Sequence, residues 1–571
     1  MKKLTLLFSI FLTISFSAKP QYFDSKSSGV IVNDVNQTQG TSWIDIDNDD
    51  DLDLYCTNLS NNDNFLYIND GNGNFSKNIS SAIVSDGSNA ISSAWGDYNN
   101  DRMIDVFVCV DGNNKLFINM GSGQFYEDTT NSVSSLSKKS ITASWGDYDG
   151  DGWIDLFVAN KNNTNSLYKN NAGTDLVLQS NSIVSTDNAN SVMGTWFDYN
   201  NDNHTDLYVS NRNGDNNFLY KNNGNGTFTK ITTGIIVNDG GDCQSISPGD
   251  YNNDGFMDLF DSNYFGNDNN LYKNNGNGTF TKIQSGPIVS SGGYSSTSSW
   301  IDIENDGDLD LIVGNSTTSS NTDNYLFIND GNGNFTQNFT DVIVNDNKLA
   351  SSIASGDFDE DGYNDVSITR RNSDKNALFI NQAGNNNWVN LLISGNSKNK
   401  TALNAKVKLK AKLDGINPVW QYREVLSSTG LRSQNSLNVE FGLGNANMID
   451  SLVIRFTTGK ICKYDSLVVN DFYNIWESCP ALNTVSSQNN NIYGNKIKLF
   501  PNPNNTGSLY FDLGPYQDDN VDIFIYDTRG KLVIKSTFTK SKIDISSLEK
   551  GIYFVNIHIG KNIVFKKITK I

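Results

Sequence analysis

Histidine is nearly missing from this chain: His204 and His558 are the only two in 571 residues. Catalysis built on imidazole is all but excluded, because one falls in a repeat loop and the other in a terminal strand. Cysteine is thin as well. Cys56, Cys109, Cys243, Cys462 and Cys479 are scattered, matching neither a disulfide framework nor a zinc-ligand spacing. Cys462 and Cys479 lie close enough in sequence to pair, while Cys56 and Cys109 read equally well as buried thiols in strands. Positive charge is short too: 43 Lys and Arg against 63 Asp and Glu leave a net charge of −20. Binding to phosphate backbones needs a basic face, so nucleic acid is excluded as a partner. Past the first residues no stretch approaches 18 apolar residues, so no transmembrane segment is expected in the mature chain.

The beginning of the chain sets the compartment. Met1-Lys2-Lys3 is positive, Leu4 to Phe16 is apolar and Ser17-Ala18 is a small-residue cleavage site. Residues 1–18 are therefore expected to be a secretory signal peptide. The length argues for about three units, and 31 Phe with 24 Tyr favour strands.

One pattern recurs seven times. WGDYDGDGWIDLFV at 145–158 has relatives opening on Asp45, Asp97, Asp198, Asp250, Asp302 and Asp357, spaced 50 to 55 residues apart. Each repeat continues with an N-x-L-Y/F-x-N segment, and most add a G-x-G-x-F turn and strand. That makes about four short strands per repeat with no helical periodicity, which describes a β-propeller. A solenoid needs capping repeats, and none is evident. The seventh repeat lacks its last strand. The stretch FDSKSSGVIVND at 23–34 aligns with FTKITTGIIVND at 228–239, so residues 22–34 are expected to complete the seventh blade and clasp the termini together.

Within each repeat the acidic loop reads D-x-[D/N/E]-x-D-x-x-x-D. Four carboxylates this close repel unless a cation sits among them, and hard oxygen ligands at alternate positions around a sharp bend fit Ca²⁺. Positions 1, 3, 5 and 9 offer side-chain oxygens, and position 7 offers a backbone carbonyl. Loop one supplies Asp45, Asp47, Asp49, Asp51 and Asp53; loop two Asp97, Asn99, Asp101, Met103 and Asp105; loop three Asp147, Asp149, Asp151, Trp153 and Asp155. Loop four supplies Asp198, Asn200, Asp202, His204 and Asp206, and loop five Asp250, Asn252, Asp254, Phe256 and Asp258. Loop six has Asp302, Glu304, Asp306, Asp308 and Asp310, and loop seven Asp357, Asp359, Asp361, Tyr363 and Asp365. Position 12 holds Cys56, Val108, Val158, Val209, Asp261, Val313 or Ile368. None is the Glu that an EF-hand needs, and the flanks are strands, so an EF-hand is rejected. Up to seven Ca²⁺ ions are expected, one per blade. Loops two, four and five should bind more weakly for their Asn, and loop two weakest, because Arg102 stands at a bend that favours glycine.

These loops resemble the FG-GAP/VCBS repeats of the integrin α-subunit propeller and of many bacterial surface proteins, over about residues 20–387. The resemblance implies a seven-bladed propeller with Ca²⁺ loops between the first two strands of each blade, more often a binding platform than an enzyme. Residues 388–477 hold Trp388-Val389-Asn390-Leu391, Arg423-Glu424-Val425 and Phe441-Gly442-Leu443-Gly444. They read as a small all-β domain and resemble the ASPIC/UnbV domain; Arg423 and Glu424 read as a cross-strand surface pair. A polar linker, 478–491, follows. Residues 492–571, with Pro501-Asn502-Pro503, Ile525-Tyr526-Asp527 and Gly551-Ile552-Tyr553-Phe554-Val555, read as an Ig-like β-sandwich. They resemble the type A sorting domain of type IX secretion, which implies export by that machinery to the outer-membrane surface or the medium.

The whole is therefore expected to be an all-β, calcium-binding module of the cell surface that engages an extracellular glycan or protein in adhesion and is not an enzyme. Trp153, Phe256 and Tyr363 are candidate ligand contacts or blade-packing rings. The alternative is a lyase-type, calcium-dependent polysaccharide-degrading enzyme, which requires a base beside the cation.

Overall fold

The structure, a computed structural model, describes residues 21–480 apart from 86, 317–322 and 383, and beyond them 498–500, 507–512, 521–527, 531–538, 542–559 and 562–570. The signal peptide, most of the linker and the Pro501-Asn502-Pro503 stretch lie outside the described residues. The chain divides into two compact units, Met1–Ala481 and Leu482–Ile571.

The first unit is built from propeller-like antiparallel sheets. Each repeat's apolar run becomes a fully buried strand, so both of its faces must be packed. Thr38–Ile44, Asp53–Asn58, Phe65–Asn69 and Phe75–Asn78 form the first repeat's sheet in chain order, and the next five repeats follow the same four-strand order. In the seventh, Ala350–Gly356, Asp365–Arg370 and Ala377–Asn381 are joined by Phe23–Ser25 from the start of the chain, with Phe23 opposite Asn381 and Ser25 opposite Phe379. The second and third sheets are additionally tied together where Ser137–Lys139 pairs with Asp111–Asn113. Every first strand slips register by a bulge near its start, as between Thr38 and Gly40 or Ala350 and Ser352. The bulge adds local twist.

Neighbouring sheets are fastened by two side chains of the repeat. Trp145, Trp196 and Trp300 each donate Nε1–H to a carbonyl of the preceding repeat, those of Ala94, Ser144 and Ser247, at 2.9–3.2 Å. Trp43 makes the same bond to Ala354 at 3.3 Å, joining the first repeat to the last. The final Asn of each third strand does likewise. Asn119 Nδ2 donates to Ile46 O, Asn170 to Tyr98 O, Asn222 to Tyr148 O and Asn274 to Tyr199 O. Asn329 donates to Tyr251 O, Asn381 to Ile303 O and Asn69 to Phe358 O. Buried amides and carbonyls must be paired, and here the pairing itself closes the ring.

Residues 387–476 add two further sheets. One places Asn387–Ser394 between Val439–Gly444 and Asp471–Trp476; the other runs Val419–Glu424, Lys406–Ala411, Ile449–Arg455, Ile461–Leu467. Cys462 and Cys479 are joined by a disulfide, and Cys56, Cys109 and Cys243 are free and buried. The second unit holds a three-stranded and a four-stranded sheet around one apolar core that includes Leu509, Ile523, Ile543, Val555 and Ile568. Among the described residues no helix is long and apolar enough to cross a membrane.

Candidate metal centre

All seven acidic loops share one backbone. Positions 4 and 6 take the left-handed conformation in each, from Asn48 (φ 63°) and Asp50 (φ 77°) in loop one to Glu360 (φ 59°) and Gly362 (φ 89°) in loop seven. Asn, Asp and Gly visit that region at least cost, which explains their abundance here. The leading aspartate holds the bend: Asp250 accepts from Asp254 N and Gly255 N at 3.0 and 2.9 Å, and Asp357 from Asp361 N and Gly362 N at 3.0 Å each. The position-9 aspartate reaches across the sheet. Asp53, Asp105, Asp155, Asp206, Asp258, Asp310 and Asp365 each accept from the backbone N–H of their repeat's third-strand Asn at 2.7–2.8 Å. That same Asn fastens the sheet to its predecessor, so each loop is wired to two sheets at once.

Carboxylate oxygens converge to within 4.8 Å of one another in four loops: Asp45, Asp47 and Asp53; Asp147, Asp149 and Asp155; Asp198, Asp202 and Asp206; Asp357, Asp359 and Asp361. Several of these oxygens are buried without a hydrogen-bond partner, namely Asp147 Oδ1, Asp206 Oδ2 and Asp359 Oδ1, and so is Asp365 Oδ2 at position 9 of loop seven. Burial, reinforced by neighbouring carboxylates, pushes Asp53 and Asp206 up to about 9, and Asp155, Asp310 and Asp365 well above the usual carboxylate range. An all-oxygen donor set with unpartnered buried lone pairs fits a hard divalent cation, which would hold such groups ionised. The sets in loops five and six are arranged differently. Asn252 Nδ2 donates to Asp258 Oδ2 at 2.9 Å, and Glu304 accepts from Tyr22 OH at 3.2 Å. In loop two Asp97, Asp101 and Asp105 are joined by Asn99, whose Oδ1 accepts from Asp101 N at 2.9 Å.

Sequence reasoning missed a lysine. The third strand reads Y-K-N in repeats three to five and carries Ile68, Ile118, Ile328 or Ile380 at that place in the others. Lys169 pairs with Asp149 and, at 3.2 Å, with Asp151; Lys221 reaches Asp202 and Lys273 reaches Asp254, both at 3.2 Å.

The position-7 side chains lie over the glycine of the next turn. A Cβ on Gly173 would sit 2.9 Å from the Trp153 ring, one on Gly224 2.5 Å from His204 and one on Gly276 2.5 Å from Phe256. Tyr363 is buried and donates its hydroxyl to Asn386 O at 3.0 Å. Packing against these turns is what the rings do.

The loop face is covered by the 388–477 segment. Arg102 (φ 78°) stacks its guanidinium 4.5 Å from the Trp476 ring and donates to Asn396 O at 3.1 Å. Asn399 N donates to Gly152 O at 2.7 Å, Thr457 Oγ1 to Asp147 Oδ2 at 3.2 Å and Gly442 N to Asp302 Oδ2 at 3.1 Å, while Lys406 pairs with Asp198. Gly442 has no room for a Cβ, which would meet that same Asp302 oxygen at 2.2 Å. Arg423 and Glu424 are accordingly no surface pair. Glu424 is buried and accepts from Tyr422 OH, and Arg423 is part-buried among the charges of Asp302, Asp250 and Asp308. Docking against the loops removes from water a strand whose alternation alone looks half-exposed.

From this segment residues 427–436 enter the centre of the ring and bond to the first strand of every repeat. Arg432 O accepts from Thr41 N at 3.2 Å, Gln434 exchanges two bonds with the backbone of Trp95, and Ser427 exchanges two with Trp145. Thr195 donates to Ser428 O, Leu431 N to Ser245 Oγ, Asn435 Nδ2 to Ser299 Oγ and Ser355 N to Asn435 Oδ1. Ser433–Gln434 adds a short parallel strand beside Thr41 and Ser42.

A family model for the FG-GAP-like repeat matches residues 45–108, 97–158, 147–209, 198–260, 262–313 and 302–368, more than half of the chain. Further models match ASPIC and UnbV over 395–480 and a secretion system C-terminal sorting domain over 498–570. The mouse cartilage acidic protein 1 is 27% identical over 269 residues, 45% of this chain and 40% of that protein, so the chain spans two fifths of its relative's length. Among solved structures, the extracellular domain of a hybrid two-component system from B. thetaiotaomicron (BT3049) aligns at TM-score 0.40 and 13% identity over 96% of this chain and 73% of that one. An Agrocybe aegerita lectin described as recognising non-reducing terminal N-acetylglucosamine aligns at TM-score 0.39 and 16% identity over 52% of this chain and 79% of that one. The sorting domain marks the protein for type IX secretion to the cell surface or beyond. By the extent of its repeats, this chain belongs to the FG-GAP-like repeat family.

Proposed function

We propose that the chain is a calcium-braced, seven-bladed β-propeller whose sorting tail is an Ig-like sandwich, and that it acts outside the cell as a non-enzymatic binding or adhesion module for a glycan or protein ligand. The observation that carries the calcium reading is one loop backbone repeated seven times with converging, partly unpartnered carboxylate oxygens. Calcium suits a set of several carboxylates and a carbonyl in an extracellular compartment. Its contribution here is electrostatic: it lets each loop turn tightly without charge repulsion and so keeps adjoining sheets in register. Loops one, three, four and seven, where three carboxylates converge, take it best, loop four against the expectation from its Asn200, and loop two takes it least. A structural ion of this kind needs no open coordination position, in keeping with loops that lie under residues 388–477. Lyase chemistry is disfavoured because Lys169, Lys221, Lys273 and Lys406, which reach the loop carboxylates, are engaged in ion pairs.

Calorimetric titration of the full chain with CaCl2 should detect several bound ions, and a glycan array probed with and without EDTA should give ligand signals that chelation removes. Unsaturated products from any polysaccharide incubated with the chain would overturn the non-enzymatic reading, and lack of calcium uptake would overturn the bracing.

A further inference from the structure

Three buried or half-buried arginines meet at the end of the central channel opposite the acidic loops, in a chain whose net charge is −20. Arg432 stands at the tip of the inserted segment, is 9% exposed and donates Nη1–H to Gln39 Oε1 at 2.9 Å. Arg371 Nε donates to Ser351 Oγ at 3.2 Å, and Ser351 in turn donates to Gln39 O at 3.0 Å. Arg212 bonds to the buried Gln244. Gln39, Ser351 and Gln244 all sit at the starts of first strands, the ends farthest from the acidic loops. On the other side of Arg432, Leu431 packs on Ile91, Ile141 and Val192, so the channel floor is apolar on one flank and cationic on the other.

This cluster is not neutralised from within. The Nε groups of Arg432 and Arg212 are buried without a hydrogen-bond partner. Arg371 and Arg212 both repel Arg432, and burial with that repulsion holds its guanidinium well below the usual range. Asp242 bears on Arg212 and also accepts from Asn213 N at 2.8 Å. A buried guanidinium without a counter-charge is costly, so the arrangement calls for an anion. Guanidinium forks match planar carboxylates and tetrahedral oxyanions in bidentate geometry.

The rim beside the arginines is aromatic. Tyr264, whose phenol is felt by both Arg212 and Arg371, stacks edge-on with Phe265 at 5.0 Å and with Tyr294 at 5.1 Å. Phe265 is 62% exposed and held at φ 58°. That conformation is uncommon for a bulky residue, and here it presents an apolar ring to solvent instead of burying it. An exposed ring next to oxyanion-binding forks suits a sugar that carries an acidic group.

We infer that this mouth of the channel binds the oxyanion of an acidic saccharide, with Arg432, Arg371 and Arg212 on the anion and Phe265 against the sugar ring. The inference rests on the proposed binding-module function and supplies its ligand class and its place. Titration of the full, calcium-loaded chain with tetragalacturonate, a sulfated galactotetraose and unmodified galactotetraose tests it. An acidic probe should bind about tenfold or more tighter than the neutral one, weaken with added NaCl, and reveal by its identity whether carboxylate or sulfate is taken. Arg371→Gln and Arg212→Gln should each weaken that binding about tenfold while calcium uptake stays unchanged. Should either variant fail to fold, sodium sulfate should still raise the Tm of the unaltered chain above that in sodium chloride of equal ionic strength, and the other variant should abolish the gain; a gain that survives the substitution counts against the site. Acidic and neutral probes binding alike, or variants binding as the parent does, would overturn the inference. An array ligand untouched by either substitution overturns it too, yet leaves the binding module standing; a chain that binds calcium and no array ligand at all overturns both.

Discussion

Loops three to five and loops one and seven fold on the same backbone, but they balance their charge differently. In the former a lysine of the third strand reaches into the carboxylate cluster; in the latter Ile68 and Ile380 stand at that place, and the third strand supplies no cation. An ammonium fixed by the sheet does part of what a free ion would do, so a repeat array that looks uniform in sequence need not depend uniformly on calcium. The first and seventh loops flank the seam where the start of the chain joins the last sheet, and there the proposed ion would matter most.

The largest expected effect is chelation. If free calcium stands at about a hundred times Kd, each occupied site contributes about 2.7 kcal/mol, so EDTA should lower Tm by about 10 °C or more. Hydrogen exchange in EDTA should also open loops one and seven before loops four and five, and uniform opening would break the comparison. Next is a buried carboxylate with no loop around it. Asp261 accepts from Tyr208 OH at 3.3 Å and Asn217 Nδ2 at 3.2 Å, and burial pushes it up to about 7. A carboxyl that holds its proton more tightly when folded stabilises the fold below the ordinary pKa of about 4 and loses that contribution as pH rises to about 7. Urea unfolding should therefore weaken by roughly 4 kcal/mol over that window at most, and Asp261→Asn should flatten the slope; an unchanged profile would show that Asp261 does not titrate there. Asn69→Ala removes the bond to Phe358 O at the seam and should cost about 1–3 kcal/mol in urea melts. The same change at Asn222 should cost less in EDTA, where Lys221 still braces its loop. Smallest is Arg102→Gly: freeing the left-handed bend offsets the loss of the Trp476 stack, leaving roughly 1 kcal/mol or less. A larger loss would mean that docking of residues 388–477 dominates at loop two.

The repeat is plain in the sequence because its period and its acidic loops are local features, and the last strand missing from the seventh repeat can be found because FDSKSSGVIVND carries the pattern of a fourth strand. Asn69 and its six counterparts stand in the motif too, but their bonds to the preceding repeat depend on ring closure and leave no trace in spacing. Arg423 and Glu424 look exposed in the sequence because strand alternation reports two faces of a sheet and cannot tell that a second body covers the outer one. Residues 427–436 read as an ordinary polar loop, yet their backbone and polar side chains bond to the first strands of all seven repeats. Arg212, Arg371 and Arg432 meet only through the closed ring and the inserted tip, beyond the reach of any local pattern. The Y-K-N variant at Lys169, Lys221 and Lys273 is legible as a pattern, but its partners lie in the acidic loop that precedes the neighbouring strand, and spacing along one strand does not point there.

The inserted segment has a consequence for how the molecule is made. Its hydrogen-bond partners run from Thr41 to Ser355, so it can seat only after all the sheets exist, and it lies C-terminal to every one of them. It is a keystone set last: a chain interrupted upstream of Ser427 would have the ring's walls without the piece that locks them, and trimming anything after Ala481 would leave that lock in place.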